Sequence, residues 1–316
     1  MGLVFVLQRV AYGIVSLAIL SAIIFACTQI LPGDAAAVIL GENATPEALA
    51  ALRTRLGLDA PVVVQFLRWV GGALSGDFGV STTLDQPVGR LIAAPFVNSL
   101  ALAVLTLLSA TLVAIPLGVL AAVRRGSRAD AAILTSSYVG ISIPDFVVGP
   151  LLILALATPP LQLFPSSGHV PLTQSPLGWL SHVALPVAAL TMVLAAHLLR
   201  QTRSGVLEVL QSDYVRTARL KGLSERQVLW RHALRNGLTM VVTVLALDVG
   251  YLMGSVVVIE EVFAYPGLGR LAVYAVANRD IPLVQSTALV TGAVYVGANL
   301  LADLVHGLLN PRVRRQ

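Results

Sequence analysis

The sequence predicts an all-α integral membrane protein with six transmembrane helices. Of its 316 residues, 56% are hydrophobic and 12% are charged, whereas a soluble globular domain has about 25% charged residues. Its mean hydropathy is +0.83. Apolar runs of about 20 residues cross a bilayer as helices. The six predicted spans lie at 10–31, 99–123, 131–157, 183–199, 238–259 and 284–307.

The distribution of Lys and Arg predicts that both termini lie in the cytoplasm. In that orientation, 15 of the 21 Lys/Arg residues lie on the cytoplasmic side, where basic residues collect in membrane proteins. Topology therefore accounts for the net charge of +5. No aromatic side chains are interleaved with the basic ones as stacking platforms, so we expect no nucleic-acid binding. The single cysteine, Cys27, excludes an intrachain disulfide framework and a multi-cysteine metal site.

The first span is followed by a long extracytoplasmic segment, residues 32–98, that has helical patterning. Thr45 is a predicted N-cap for a helix that opens at Pro46 and stops at Gly57. A second, amphipathic helix is predicted at 61–74. Such a helix either lies on the membrane interface or docks an external partner. Its apolar face consists of Val62, Phe66, Trp69 and Val70.

The fourth and fifth spans are separated by a basic segment, residues 200–236, with eight Lys/Arg and three acidic residues. Its sequence is punctuated like a folded structure. The signals are an N-cap at Ser212 or Asp213, a left-handed residue at Gly222, and a capping box of Ser224 with Gln227. The segment is therefore predicted to contain two helices that meet at a glycine.

Motifs along nearly the whole chain carry a family resemblance, and their order and spacing make it specific. They are Leu31-Pro-Gly-Asp34, Leu56-Gly-Leu-Asp59, Gly76-Asp-Phe-Gly79, Pro116-Leu-Gly118, Ser142-Ile-Pro-Asp-Phe146, the loop 213–236, and Glu261-Val-Phe-Ala-Tyr-Pro-Gly-Leu-Gly-Arg270. On these residues the chain resembles the first permease subunit of ATP-binding-cassette (ABC) importers of the dipeptide, oligopeptide and nickel class. The resemblance implies a type I (MetI-like) ABC importer permease fold. Residues 1–31 would be the N-terminus and first helix, 32–98 the large extracytoplasmic loop, and 99–316 a core permease domain of five transmembrane helices.

The resemblance also implies that the segment 200–236 couples the permease to an ATPase. In such permeases a short helix inserts into a groove of the cytoplasmic ATPase and transmits its closure as a rigid-body motion. The implied coupling residues are Asp213, Tyr214, Val215, Arg216, Ala218, Arg219, Leu220, Lys221 and Gly222. Among them, Tyr214, Val215, Ala218 and Leu220 would give apolar contacts, and Arg216, Arg219 and Lys221 would meet acidic residues of the ATPase. Gly222 would set the angle to the next helix. A solvated loop is the simpler alternative, but it explains the charge and not the paired caps.

The resemblance implies a set of partners in the bacterial cytoplasmic (inner) membrane. They are a second homologous permease subunit, usually different from this one, two cytoplasmic ABC ATPase subunits and an extracytoplasmic solute-binding protein. The chain has no Gly-x-x-x-x-Gly-Lys-Ser/Thr phosphate loop, so ATP and Mg²⁺ belong to the ATPase subunits and no cofactor is expected here. The expected cargo is a dipeptide or oligopeptide, with nickel, glutathione and sugars as alternatives.

Ionisable residues inside spans are candidates for function, because a charge at the bilayer centre costs at least a few kcal/mol. Asp248 lies near the middle of the fifth span, and Asp145 follows Pro144, where a helix must kink and free its carbonyls. These residues either line the translocation path or bind neighbouring helices. Asp303, Asn299 and His306 share one face of the sixth span, where helix packing or interfacial water is expected.

Two other classes of membrane protein fit the sequence less well. A membrane-embedded enzyme needs a clustered nucleophile and base, or metal ligands, but the five histidines are scattered and no His-Glu-x-x-His or Gly-x-Ser-x-Gly motif occurs. An ion-driven carrier in one chain usually shows internal repeats, and none is visible. We therefore expect a non-catalytic transport subunit.

Overall fold

The structure is a computed structural model that describes residues 3–30, 45–56 and 59–309. Within these ranges the chain is helical and contains no strand, and an isolated antiparallel bridge pairs Val80 with Pro87. The motif Leu31-Pro-Gly-Asp34, Gly57 and the C-terminal arginines lie outside the described residues.

Twelve α-helices lie within the described residues. They are α1 (Leu3–Ile30), α2 (Pro46–Leu56), α3 (Val62–Ser75), α4 (Val88–Val123), α5 (Arg128–Ser142), α6 (Asp145–Leu152), α7 (Pro176–Leu210), α8 (Asp213–Leu220), α9 (Glu225–Gln227), α10 (Leu234–Val262), α11 (Leu268–Ala277) and α12 (Ile281–Leu309). Two π-helical turns, Ile153–Ala157 and Val228–Ala233, follow α6 and α9.

Several of these helices are long and apolar enough to cross a membrane. In the described part of the chain they are Val4–Gln29, Val88–Val123, Pro176–Leu210 and Ile281–Leu304, or five if the bent pair Arg128–Ser142 and Asp145–Ala157 forms one span. The remaining predicted span, 238–259, lies within α10 and is not among these. The helices extend beyond the predicted spans, because hydropathy marks only their apolar part. The 36 residues of α4 extend about 54 Å, against a hydrocarbon thickness of about 30 Å.

The kink predicted at Pro144 is confirmed. The helices before and after it, α5 and α6, are bent by 99°. Proline has no N–H and restricts the residue before it to an extended conformation, and Ile143 is accordingly extended, at φ −103° and ψ 118°. Asp145 therefore begins a new helix rather than continuing α5.

The chain divides into two compact units. One unit contains residues 100–265 together with residues near each terminus. Its central element is α7, which packs against α5, α6 and α10. Glycine allows a close approach at Gly118, where a Cβ atom would lie 2.7 Å from Thr202 Cβ. Small residues permit such helix contacts in membrane proteins, so α4 packs tightly against the second half of α7.

The other unit contains residues 11–99 and 266–296. Thr45 caps α2 as predicted, since its hydroxyl accepts a hydrogen bond from the Ala48 N–H at 3.2 Å. The amphipathic helix predicted at 61–74 is confirmed as α3. Part of its apolar face packs against α1, where Phe66 and Trp69 lie 5.4 and 5.9 Å from Phe25, measured between ring centroids. Only the remainder, including the exposed Val62, is free for a membrane interface or a partner.

Candidate functional site

The short helix of the predicted coupling segment is α8. An acidic residue, Asp213, lies in its first turn and a basic one, Arg219, in its last, as the helix dipole favours. Ser212 holds the predicted N-cap position, but its side chain makes no cap hydrogen bond. Its hydroxyl donates instead to the Val209 carbonyl at 2.6 Å, because the preceding helix places that acceptor within reach.

The turn after α8 depends on Gly222, as predicted. Its φ of +81° is left-handed, and its N–H and that of Leu223 donate to carbonyls in the last turn of α8, which closes the helix as a Schellman motif. The capping box is also confirmed. The Gln227 N–H donates to Ser224 Oγ, and the Ser224 N–H donates to Gln227 Oε1 at 3.1 Å. The chain then enters α10 through a π-helical turn.

The segment containing α8 and α9, residues 211–233, is called here the hairpin. It has its own small core, because Val215, Ala218 and Val228 are buried against one another and against Leu210 and Leu223. Val215 and Ala218 were expected to contact the ATPase, but both side chains are buried inside this core. They lie on the face of α8 that packs on the end of α7 and on Val228 of the π-helical turn, whereas Leu220 is 81% exposed.

Some charged side chains of the hairpin form an ion pair, and others are exposed on its surface. Arg219 donates to Glu225 at 2.8 and 3.1 Å across the glycine turn, and this hydrogen bonding from Arg219 lowers the pKa of the Glu225 carboxyl. Asp213, Arg216 and Lys221 are exposed. The half-exposed Tyr214 accepts a hydrogen bond on its hydroxyl from Asn236 Nδ2 at 2.8 Å. The exposed surface of α8 thus combines Leu220, the ring of Tyr214, basic charge and the acidic Asp213.

The first part of the basic segment 200–236 belongs to the long helix before the hairpin. Residues 200–210 continue α7, and Arg203, counted in the sequence as part of the loop charge, is bound to the buried Asp130. Asp130 lies in the first turn of α5, behind the N-cap Ser127. The sequence Ser127 to Asp130 is typical of the start of a helix. It gives no sign that an arginine of another helix is the partner of Asp130.

Asp248 is buried inside the helical bundle and is 5% exposed. Its Oδ1 lies 2.9 Å from His197 Nδ1, a distance at which an imidazole N–H donates to a carboxylate. Its Oδ2 has no hydrogen-bond partner among the described residues. The sequence predicts Asp248 inside a span, but the only signal for His197 is its own position inside an apolar run.

Asp145 and Pro144 lie at the bend between α5 and α6. Pro144 is the N-cap of α6, and the buried Asp145 accepts a hydrogen bond from the Phe146 N–H at 2.8 Å. Its other oxygen lies 3.4 Å from the Tyr251 hydroxyl. Tyr251 is one turn after Asp248 on α10, so this tyrosine lies between the two predicted path carboxylates.

Near the termini, Arg9 Nη1 lies 3.0 Å from Asp303 Oδ2. The predicted helix-binding role of Asp303 is therefore supported by an ion pair between α1 and α12. The side chain of His306 lies outside the described residues.

Known families match the sequence of this chain over most of its length. Residues 114–315 match the family of binding-protein-dependent transport system inner membrane components. The chain belongs to this family. Residues 2–99 match the N-terminal region of membrane components of the same transport systems. This permease is therefore an inner-membrane transport subunit.

Curated relatives cover the permease from end to end. It is 42% identical over 309 residues to a Brucella abortus protein named as a permease of a peptide transport system, covering 98% of each chain. It is 37% identical over 318 residues to a glutathione transport system permease of Salmonella paratyphi A, again covering 98% of each. Among solved structures, an amino acid ABC transporter crystallised with histidines is similar, with a TM-score of 0.48, 17% identity and coverage of 71% of this chain and 94% of that one.

Proposed function

We propose that this chain forms half of the translocation path of an ATP-driven importer of dipeptides and oligopeptides. The observation that carries the proposal is the 42% identity, over 98% of both chains, to a permease of a peptide transport system. A second homologous permease subunit completes the path, and two ABC ATPase subunits and a solute-binding protein complete the importer. Six helices cross the membrane, both termini are cytoplasmic, and residues 32–98 form the extracytoplasmic loop.

The hairpin is proposed as the contact with the ATPase. Its internal core and its two closed helix ends make it a rigid body rather than a flexible loop. Leu220 and Tyr214 provide apolar surface, and Arg216 and Lys221 provide charge. Arg219 holds the shape of the turn through Glu225. Gly222 allows the sharp turn, because its left-handed φ is strained for other residues.

The path is proposed to pass the bend at Pro144 and the two carboxylates near it, Asp145 and Asp248. Buried acids in membrane helices usually face a bundle interior or a water-filled cavity, and both acids lie next to Tyr251 or one turn from it. The break between α5 and α6 at Pro144 leaves backbone groups without helical hydrogen bonds, and within a membrane such groups are tolerated only inside a protein or beside a water-filled cavity.

Glutathione is the second candidate cargo, because the permease from Salmonella paratyphi A is named for its transport. Glutathione is itself a small peptide, so the same path chemistry serves it. Nickel, the alternative from the family resemblance, requires a different binding protein and is distinguished by the same assay.

Uptake by the reconstituted complex tests the proposal. The chain is co-expressed with its neighbouring subunits, placed in liposomes with ATP on the ATPase side, and given binding protein loaded with radiolabelled alanyl-leucine. We expect ATP-dependent accumulation that an excess of unlabelled dipeptide prevents and an excess of Ni²⁺ does not. Accumulation of glutathione or nickel without dipeptide uptake would reassign the cargo, and ATP-independent accumulation would refute the importer.

Leu220 provides a matched test of the ATPase contact. Leu220→Asp places a charge on the exposed tip of α8, so we expect the ATPase subunits to be lost on purification. Leu74 at the end of α3 is similarly exposed, at 85% against 81%, and lies in the segment predicted to be extracytoplasmic. Leu74→Asp is therefore expected to retain the ATPase, and equal loss from both variants would contradict the role of the hairpin.

A further inference from the structure

A cavity of about 430 Å³ lies beside Asp248. This volume falls within the range of about 300–1,000 Å³ that is usual for small-molecule sites. All of its lining residues belong to the same compact unit. They are Ile141, Val193, Leu194, His197, Asp248 and Tyr251.

The walls of the cavity divide by chemistry. Ile141, Val193 and Leu194 are aliphatic, whereas the polar groups come from His197, Asp248 and Tyr251. No Lys or Arg is among the described residues that line it. An anion would meet the Asp248 carboxylate without a compensating charge, so this cavity suits a ligand with an apolar body and a cationic group.

The carboxylate of Asp248 is only half satisfied. Its Oδ1 is paired with His197 Nδ1 at 2.9 Å, and this contact fixes the orientation of the carboxyl group. Its Oδ2 is buried and has no partner in the described part of the chain. A buried acceptor left unpaired is costly, and a charged donor satisfies it best, because charge-assisted hydrogen bonds are the stronger ones.

We propose that this cavity binds the primary ammonium group of the transported peptide, with Asp248 Oδ2 as its acceptor and His197 as the residue that positions the carboxylate. The aliphatic wall then contacts the first side chains of the peptide, and Tyr251 bounds the cavity towards Asp145. This inference rests on the proposed function, since it assigns a substrate group to the same path.

Protection of a cysteine in the cavity measures binding without transport. The chain has a single cysteine, so Cys27→Ser with Ile141→Cys leaves one thiol, in the cavity wall. The complete complex in lipid discs is treated with a neutral methanethiosulfonate, and labelling of this chain is followed by mass spectrometry. The two probes are alanyl-leucinamide, a cation, and its N-acetyl derivative, which differs by loss of the charged ammonium.

We expect the cationic probe to protect the thiol at a concentration about ten-fold below that of the acetylated probe, the size of one charged hydrogen bond. Asp248→Asn should raise the protecting concentration of the cation about ten-fold and leave the acetylated probe unchanged. The matched control is Asp303→Asn, which removes an acid from an ion pair outside the cavity and should alter neither probe.

Equal protection by the two probes in the parent protein would overturn the subsite, and this comparison does not depend on folding of a variant. Unchanged protection in an assembled Asp248→Asn complex would overturn it as well. Dipeptide uptake without selective protection would refute the proposed ammonium site and support the proposed importer function. Selective protection without ATP-dependent uptake removes the importer and retains the cation site.

Discussion

Arg203 binds Asp130 through two parallel hydrogen bonds, from Nε to Oδ1 at 2.7 Å and from Nη2 to Oδ2 at 2.9 Å. The same carboxylate accepts from the Gly126 N–H at 2.9 Å. The contact joins the C-terminal part of α7 to the first turn of α5, just before the hairpin begins. The contact therefore ties the part of α7 that leads into the hairpin to the bent pair α5 and α6.

Removal of one partner from this pair should be strongly destabilising. Asp130→Ala leaves a largely buried guanidinium without its counter-charge, and we expect the free energy of unfolding to fall by about 3 kcal/mol. Arg203→Met in addition should restore part of that loss. Thermal unfolding in detergent measures both variants.

The exposed pair Arg219 and Glu225 is the control for this prediction. Its side chains are 41% and 73% exposed, and exposed ion pairs contribute about 0–1 kcal/mol. Glu225→Ala should therefore lower stability much less than Asp130→Ala. Equal losses would show that the burial of the Arg203 pair has no energetic consequence.

Variants at Gly222 and Gly126 separate a role of the hairpin in transmitting ATPase closure from the effect of local backbone strain. Both have left-handed φ values, +81° and +76°, and in both a Cβ atom would meet nothing within 4 Å. Alanine should cost about 1 kcal/mol at either position for the backbone alone. If the hairpin transmits ATPase closure, Gly222→Ala should reduce transport per ATP hydrolysed several-fold more than Gly126→Ala. Parallel uptake and ATPase assays give this ratio, and equal ratios for the two variants would argue against transmission of ATPase closure through the hairpin.

Features encoded by neighbouring residues were predictable from the sequence. The turn at Gly222, the capping box at Ser224 and the bend at Pro144 each follow from backbone rules that act within a few residues. Ser212 takes the predicted N-cap position, but its hydroxyl donates backwards to the Val209 carbonyl of α7.

Contacts between distant residues were not predictable in this way. His197 and Asp248 are 51 residues apart, and Asp130 and Arg203 are 73 apart. Their pairing depends on how helices rotate about their axes, which hydropathy alone does not fix. The burial of Val215 has the same origin, because the face of α8 that is covered depends on where the π-helical turn and the end of α7 lie.

Gly292 is predicted to be required for the packing of α12 on α1. A Cβ atom there would lie 2.0 Å from Leu20 Cδ2, so Gly292→Ala forces that side chain aside and should cost about 1 kcal/mol or more. Gly297→Ala on the same helix meets nothing within 4 Å and should be neutral or stabilising, because alanine is the better helix former. Adding Leu20→Ala to the Gly292→Ala variant should relieve the clash. Melting temperatures of the three variants test this order, and a loss at Gly297 equal to that at Gly292 would contradict it.

Asp280 gives a prediction for pH. The residue is fully buried before α12, and burial alone would raise its pKa, but hydrogen bonds from Ser81, Thr83 and Leu283 outweigh burial and lower the pKa below its ordinary value of 3.8. A carboxyl whose pKa is lower in the folded state stabilises that state above the unfolded pKa, and this contribution is lost as pH falls through the folded pKa.

Asp280→Asn should therefore cost about 2 kcal/mol at pH 7, because its amide faces donors, and the difference from the parent protein should shrink below about pH 4. Thermal unfolding from pH 7 to pH 3 measures this, with the exposed Asp85→Asn as the control. A difference that stays constant over that range would rule out the proposed linkage.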